Sequence, residues 1–187
     1  MVPVWYRYAE PHLSRFAGRL PVIPENGYKA WYDRTFRLEK VEEYRNNAIV
    51  RHWVYHWSAD GQLAACDLHE GAKGRIQGWR YDGAGRVASR IQFTGQGAWN
   101  RPWLVYTLNY DSAGRLQGEQ ELVDGKVQRT IQYSYHPGGE ILSRGIYTIT
   151  GFLLERTVYR TDDAGRIQEA LLYQWGKLAR VTVYRYS

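Results

Sequence analysis

A single cysteine, Cys66, stands among 187 residues, which excludes an internal disulfide framework and a cysteine-built zinc site. It reads as a small buried strand residue rather than a reactive thiol. No apolar run approaches the ~20 residues that a membrane-spanning helix needs. The first residues lack the charged stretch and apolar core of an export signal. The expectation is a chain that neither crosses a membrane nor carries a visible leader, with the cytoplasm as its compartment. Prolines are few, and four of the six (Pro3, Pro11, Pro21 and Pro24) fall in the first 30 residues. Residues 1–30 therefore read as an N-terminal cap or loop, with room for one helical turn around residues 13–17.

What the chain has in abundance is a repeated phrase: an aromatic pair, a short polar turn ending in Gly, then a polar and an aliphatic residue. It appears as Trp79-Arg80-Tyr81-Asp82-Gly83-Ala84-Gly85-Arg86-Val87, as Leu108-Asn109-Tyr110-Asp111-Ser112-Ala113-Gly114-Arg115-Leu116, and as Tyr159-Arg160-Thr161-Asp162-Asp163-Ala164-Gly165-Arg166-Ile167. Looser copies begin at Tyr55 and Tyr133. The phrase recurs in steps of 24 to 29 residues, and a fixed period marks an array. A weaker turn signal near the middle of each step, such as Asp124-Gly125 or Trp175-Gly176, leaves segments of strand length.

The turn chemistry agrees. An Asp opening a turn can accept hydrogen bonds from amides two residues on, and a Gly near its end accepts positive φ. Asp82, Gly85 and Arg86, Asp111, Gly114 and Arg115, and Asp162, Gly165 and Arg166 are thus structural turn residues. Each Arg can pair with the Asp of its hairpin or stack on a neighbouring Tyr. Between turns the pattern has period two, with Val127, Ile131, Tyr133 and Tyr135 on one face and Gln128, Thr130, Gln132 and Ser134 on the other. Residues 31–45 read as a degenerate earlier copy turning at Asn46-Asn47, against a helical alternative that Leu38, Glu39, Lys40, Glu42 and Glu43 would support. The predicted fold is mostly β: an antiparallel meander of about 10–12 strands built from tandem ~25-residue hairpins, as an open twisted sheet or a partly closed barrel. The repeat domain spans 31–187, in a single domain overall.

Eight Trp, 16 Tyr and 4 Phe accompany a mean hydropathy of −0.57. That pairing suits thin sheets covered by amphipathic rings and Arg stems. Lys and Arg exceed Asp and Glu by 25 to 19, a net charge of +6, which favours an acidic partner.

The strings around Asp82, Asp111 and Asp162 resemble the YD repeat, also called the RHS repeat, of large bacterial toxin-delivery proteins. Asp124-Gly125-Lys126-Val127 and Trp175-Gly176-Lys177-Leu178 are similar, more weakly, to YwqK-type antitoxin repeats. The resemblance covers residues ~50–187. It departs from the family in its longer period and in having too few repeats for the closed shell that long RHS proteins form. It implies a β-meander and a setting among bacterial toxin systems.

No GxxxxGK[ST], GxSxG or HExxH string is present. Gly83-Ala84-Gly85-Arg86-Val87-Ala88 fits GxGxxA but lies in a hairpin turn rather than opening a helix. His52 and His56 would stand about 13 Å apart on a strand, too far to share a metal. The expectation is a non-enzyme with no catalytic residue, metal or cofactor. Residues 94–103 stretch the longest step and read either as a loop presenting Trp99, Arg101 and Trp103 or as an ordinary loop whose rings fold back. With Tyr133 and Tyr135 these are the candidate partner-binding residues.

The leading functional expectation is an immunity or antitoxin-type protein that neutralises a bacterial toxin with an acidic surface or cleft, through an aromatic- and Arg-rich sheet face. A carbohydrate-binding or cell-surface repeat module is the alternative. A nucleic-acid-binding protein is the second alternative, and no membrane partner is expected.

Overall fold

The computed structural model describes the backbone of residues 3–10, 15–20, 25–95 and 100–186, and the side chains of residues 25–95 and 100–186. The chain divides into two compact units, Met1–Leu104 and Val105–Ser187. The first contains β1 (Pro3–Glu10), β2 (Arg15–Leu20), β3 (Gly27–Tyr32), β4 (Leu38–Arg45), β5 (Ala48–Trp57), β6 (Leu63–Glu70), β7 (Gly74–Tyr81) and β8 (Val87–Thr94). β9 (Arg101–Tyr110) runs across the boundary. The second unit continues with β10 (Leu116–Val123), β11 (Lys126–Tyr135), β12 (Ile141–Thr148), β13 (Leu153–Thr161), β14 (Ile167–Gln174) and β15 (Lys177–Val183).

The expected antiparallel meander is present. Strands follow one another in sequence order, except that β1 lies between β2 and β3, and neither unit closes into a barrel. The only helical element among the described residues is a single 3-10 turn at Gly71–Lys73. Residues 31–45 are strand: β3 reaches Tyr32 and β4 pairs with β3 and β5 on both edges, which outweighs the helix propensity of its Glu and Lys residues.

The cap or loop expected over residues 1–30 is corrected. β1 ends within it, β2 crosses it, and β3 begins at Gly27. Residues 13 and 14 of the expected helical turn lie outside the described residues, and Arg15 to Ala17 belong to β2. Prolines misled here because Pro3 opens β1, a position that tolerates a missing amide.

Two kinds of turn recur. In residues 33–37, 58–62, 82–86, 111–115, 136–140, 148–152 and 162–166, the first amide donates to the fifth carbonyl at 2.8–2.9 Å, and the fourth amide to the first carbonyl at 2.9–3.1 Å. The fourth residue takes positive φ in each, with Gly85 at 74° and Gly114 at 79°. The other kind is a two-residue turn with both φ positive: Asn46-Asn47, Asp124-Gly125 and Trp175-Gly176. Those angles match the right-handed twist of the flanking strands. Most hairpins also carry a register shift next to one turn, as between Arg80 and Tyr81 or Ser134 and Tyr135, which adds local twist.

In the first unit the apolar residues meet in rows across the strands. Ala30 faces Val41, Val41 faces Trp53, and Trp53 faces Leu68, while Tyr55 faces Cys66 and Cys66 faces Trp79. Ala30, Leu38, Val41, Trp53, Tyr55, Cys66 and Leu68 are buried together, flanked by half-buried Tyr28, Trp57 and Trp79. Full burial of each large side chain contributes about 1.5–3 kcal/mol, so this face holds the first unit together. The second unit is thinner. Its buried apolar residues include Ile131, Ile146, Ala170 and Leu171, and buried Glu119 and Glu121 stand among them.

Candidate partner-binding surface

The turn residues come first, because the repeat builds them identically. Asp82 Oδ1 accepts the Ala84 amide at 3.0 Å and the Arg86 amide at 2.9 Å, while Oδ2 accepts Arg86 Nε at 2.8 Å. Asp111 does the same with Ala113 and Arg115, and Asp162 with Ala164 and Arg166. Asp33 forms a fourth copy with Thr35 and Arg37. Hydrogen bonds from the backbone amide of the turn Arg, with those from its guanidinium and from the second amide, hold the Asp82, Asp111 and Asp162 carboxyls below their ordinary value.

The Arg of one turn also reaches the next repeat. The Arg115 guanidinium lies 4.8 Å from the centre of the Tyr135 ring, and Arg166 lies 5.3 Å from that of Tyr186. Tyr135 in turn donates its hydroxyl to the Leu116 carbonyl at 2.7 Å, and Tyr186 to the Ile167 carbonyl at 2.7 Å. Trp57 Nε1 makes the corresponding bond to the Leu38 carbonyl at 2.8 Å. Tyr135 and Tyr186 are thus pinned between an Arg and a strand carbonyl 19 residues earlier, and Trp57 shares the carbonyl bond.

Of the expected contact residues, Trp99 lies outside the described residues. Arg101 and Trp103 are exposed, but they stand at the start of β9 rather than in a loop. Tyr133 and Tyr135 belong to the second unit. Tyr133 donates to Glu119 Oε1 at 2.7 Å and lines a polar depression of about 400 Å³ with Asn109, Gln117 and Gln132. Neither unit by itself holds Arg101, Trp103, Tyr133 and Tyr135 together.

Two groupings were not anticipated from the sequence. On the polar face of the first unit, cross-strand pairing sets Lys29, Glu42, His52, His69 and Arg75 in one row. The His52 and His69 rings stack at 4.7 Å. Burial lowers the pKa of both imidazoles, with Lys40 adding to the effect at His52 and the neighbouring His52 adding to it at His69. Beside them, buried Asp67 accepts Arg80 Nη1 at 2.8 Å and Arg75 Nη1 at 3.3 Å, and lies 3.4 Å from His56 Nε2. Burial alone would raise the pKa of Glu42, but hydrogen bonds from Lys40, Tyr44 and Trp31 outweigh it and hold the carboxyl low. Side chains beside the row thus satisfy Glu42 and Arg75, and together they work as a polar clasp across the sheet. On the opposite face, burial pushes the Cys66 thiol up to about 12, which leaves it an inert core group.

The second grouping is apolar and exposed. In the second unit Trp175 is 68% exposed, Ile149 68%, Phe152 57% and Leu178 54%. The Phe152 and Trp175 rings lie 6.0 Å apart. Behind them a groove of about 310 Å³ is lined by Leu153, Leu154, Val158, Tyr173 and Trp175, with Arg156 at its margin. The available signal was an aromatic residue in a tight turn: Trp175 adopts φ 52°, where a bulky side chain is unusual.

No protein-family model matches the chain, and no curated protein is similar to it in sequence. Among solved structures it is similar to a chain of the Photorhabdus luminescens Tc holotoxin pore, at 13% identity and a TM-score of 0.43 over 80% of this chain and 10% of that one. A second is the TcdB2-TccC3-TEV structure, at 11% identity and a TM-score of 0.26, covering 91% of this chain and 13% of that one. A third is a porin-like protein from Bacteroides uniformis, at 11% identity and a TM-score of 0.35, covering 85% and 90%. The chain thus spans about a tenth of the first of these, and its structural neighbours include toxin complexes at an identity too low to transfer activity or partner.

Proposed function

We propose that the chain is a non-enzymatic immunity or antitoxin-type protein, which binds a bacterial toxin and neutralises it. The observation that carries this reading is the apolar surface of the second unit, where Ile149, Phe152, Trp175 and Leu178 stand exposed, Phe152 beside Trp175 and Trp175 lining a groove. Contiguous exposed apolar residues of this size mark interaction sites on soluble domains. Trp175 adds strain at positive φ to its exposure, a combination that belongs at functional positions.

Two further features support the reading. Asp33, Asp67, Asp82, Glu42, Glu119 and Glu121 are engaged by neighbouring side chains, so they serve the scaffold. The net charge of +6 suits a target with an acidic surface. The resemblance of the turn strings to YD repeats and YwqK-type repeats supplies the toxin setting. Co-expression with the toxin encoded beside this gene tests the proposal: protection of the cells and co-purification of the two proteins are expected. A chain that neither protects against nor binds any neighbouring toxin would falsify it.

A further inference from the structure

The phase of the last ladder can be read from one bond. The Tyr184 amide donates to the Gln168 carbonyl at 2.9 Å. Pairs displaced from it by two residues, Thr182 with Ala170 and Arg180 with Leu172, therefore exchange hydrogen bonds between β15 and β14. The amides and carbonyls of Val181 and Val183 consequently point away from β14. Among the described residues no strand pairs with that outer edge.

The side chains along this edge divide by face. Val181 stands in a row with Leu171 and Val158, and Leu178 in a row with Tyr173 and Arg156. Val158 and Tyr173 of these rows line the apolar groove, and Val181 extends that face at 48% exposure, while Val183, 61% exposed, stands on it opposite Glu169. Arg180, opposite Leu172, and Lys177, opposite Gln174, belong to the other face. Both are exposed, and neither has an ion pair among the described residues.

We propose that the outer edge of β15 takes up an extended segment of a partner protein as an added antiparallel strand. The segment has apolar side chains at alternate positions, which extend the Val158–Leu171–Val181 row. Its intervening positions are acidic and face Lys177 and Arg180. Main-chain bonds to Val181 and Val183 supply binding, and the alternation supplies selectivity. The edge deepens the binding role proposed above and rests on it. A second copy of this chain fits worse, because pairing two β15 strands gathers the cations of both copies with no carboxylate on either strand.

The test uses the full chain and a fluorescein-labelled peptide alternating valine and glutamate, read by fluorescence anisotropy against a valine–lysine counterpart. The acidic peptide is expected to bind roughly tenfold or more tightly than the basic one. Val181→Pro removes an outward amide while sparing the ladder to β14, so it should abolish binding with circular dichroism unchanged. Arg180→Glu, which leaves the backbone intact, should weaken the acidic peptide and strengthen the basic one. Equal binding of the two peptides, no effect of Arg180→Glu, or a chain dimer that Val181→Pro dissolves would each overturn the edge. A Val181→Pro chain that still neutralises its toxin overturns the edge and leaves the immunity role standing. A parent chain that binds the acidic peptide but protects against no toxin does the reverse.

Discussion

Asp111 shows how much one carboxylate settles in this protein: it satisfies two amides and one guanidinium and so closes its turn. Because the folded Asp33, Asp82, Asp111 and Asp162 bind protons less readily than ordinary aspartates, the unfolded chain takes up more protons as acid is added. Their stabilisation is fully present above the ordinary Asp value of 3.8 and is lost as pH falls through the lower folded values. Thermal midpoints followed from neutral pH to about pH 2 should drop on the acid side, and Asp111→Asn should flatten part of that drop. At the fourth turn position the same logic runs through the backbone. Phe36 sits at φ 62° and 89% exposed where other copies have Gly, so Phe36→Gly should stabilise the chain by about 1 kcal/mol in chemical denaturation. Gly85→Ala should cost about as much, ~1 kcal/mol, although its side chain would enter open space, since the cost is conformational.

Between elements, stability passes from repeat to repeat through the closing aromatics. Tyr135→Phe keeps the ring beneath Arg115 and removes only the bond to the Leu116 carbonyl, so a loss of about 1 kcal/mol is expected by urea titration. A strand glycine limits the polar clasp of the first unit: a Cβ at Gly78 would lie 2.7 Å from Asp67 Oδ1, which Arg80 holds in place. Gly78→Ala should therefore cost roughly 1–3 kcal/mol. The hairpins were legible because Asp, Gly and Asn at the turns state their backbone angles locally. β1 and β2 were not, because proline counts say where strands are interrupted and nothing about which segments pair across the interruption. The start of β9 was read as loop for a related reason: Arg101, Pro102 and Trp103 look like loop residues unless their place in the strand is known.

Across the whole molecule, burial is uneven. β3 to β6 carry the buried cluster, whereas every residue of β15 is exposed. Amide exchange followed by mass spectrometry should show the strongest protection in β4 to β6 and the weakest in β15, because opening free energy follows buried apolar contact. The same contrast separates stability from function. Trp175→Asn suits a turn with positive φ, so it should raise the thermal midpoint and weaken the toxin binding proposed for this surface.

Sequence alone determined the meander: turn residues at a fixed period and alternation between them dictate hairpins, since backbone angle and facing are local properties. It also exposed the Asp–Arg turn units, whose partners sit four residues apart. Only the tertiary structure decided which side chains stand in common rows, that His52 meets His69, and that Trp175 and Val181 are left uncovered. Those outcomes depend on cross-strand register and on the shifts beside the turns, where one extra residue moves a side chain to the other face of the sheet.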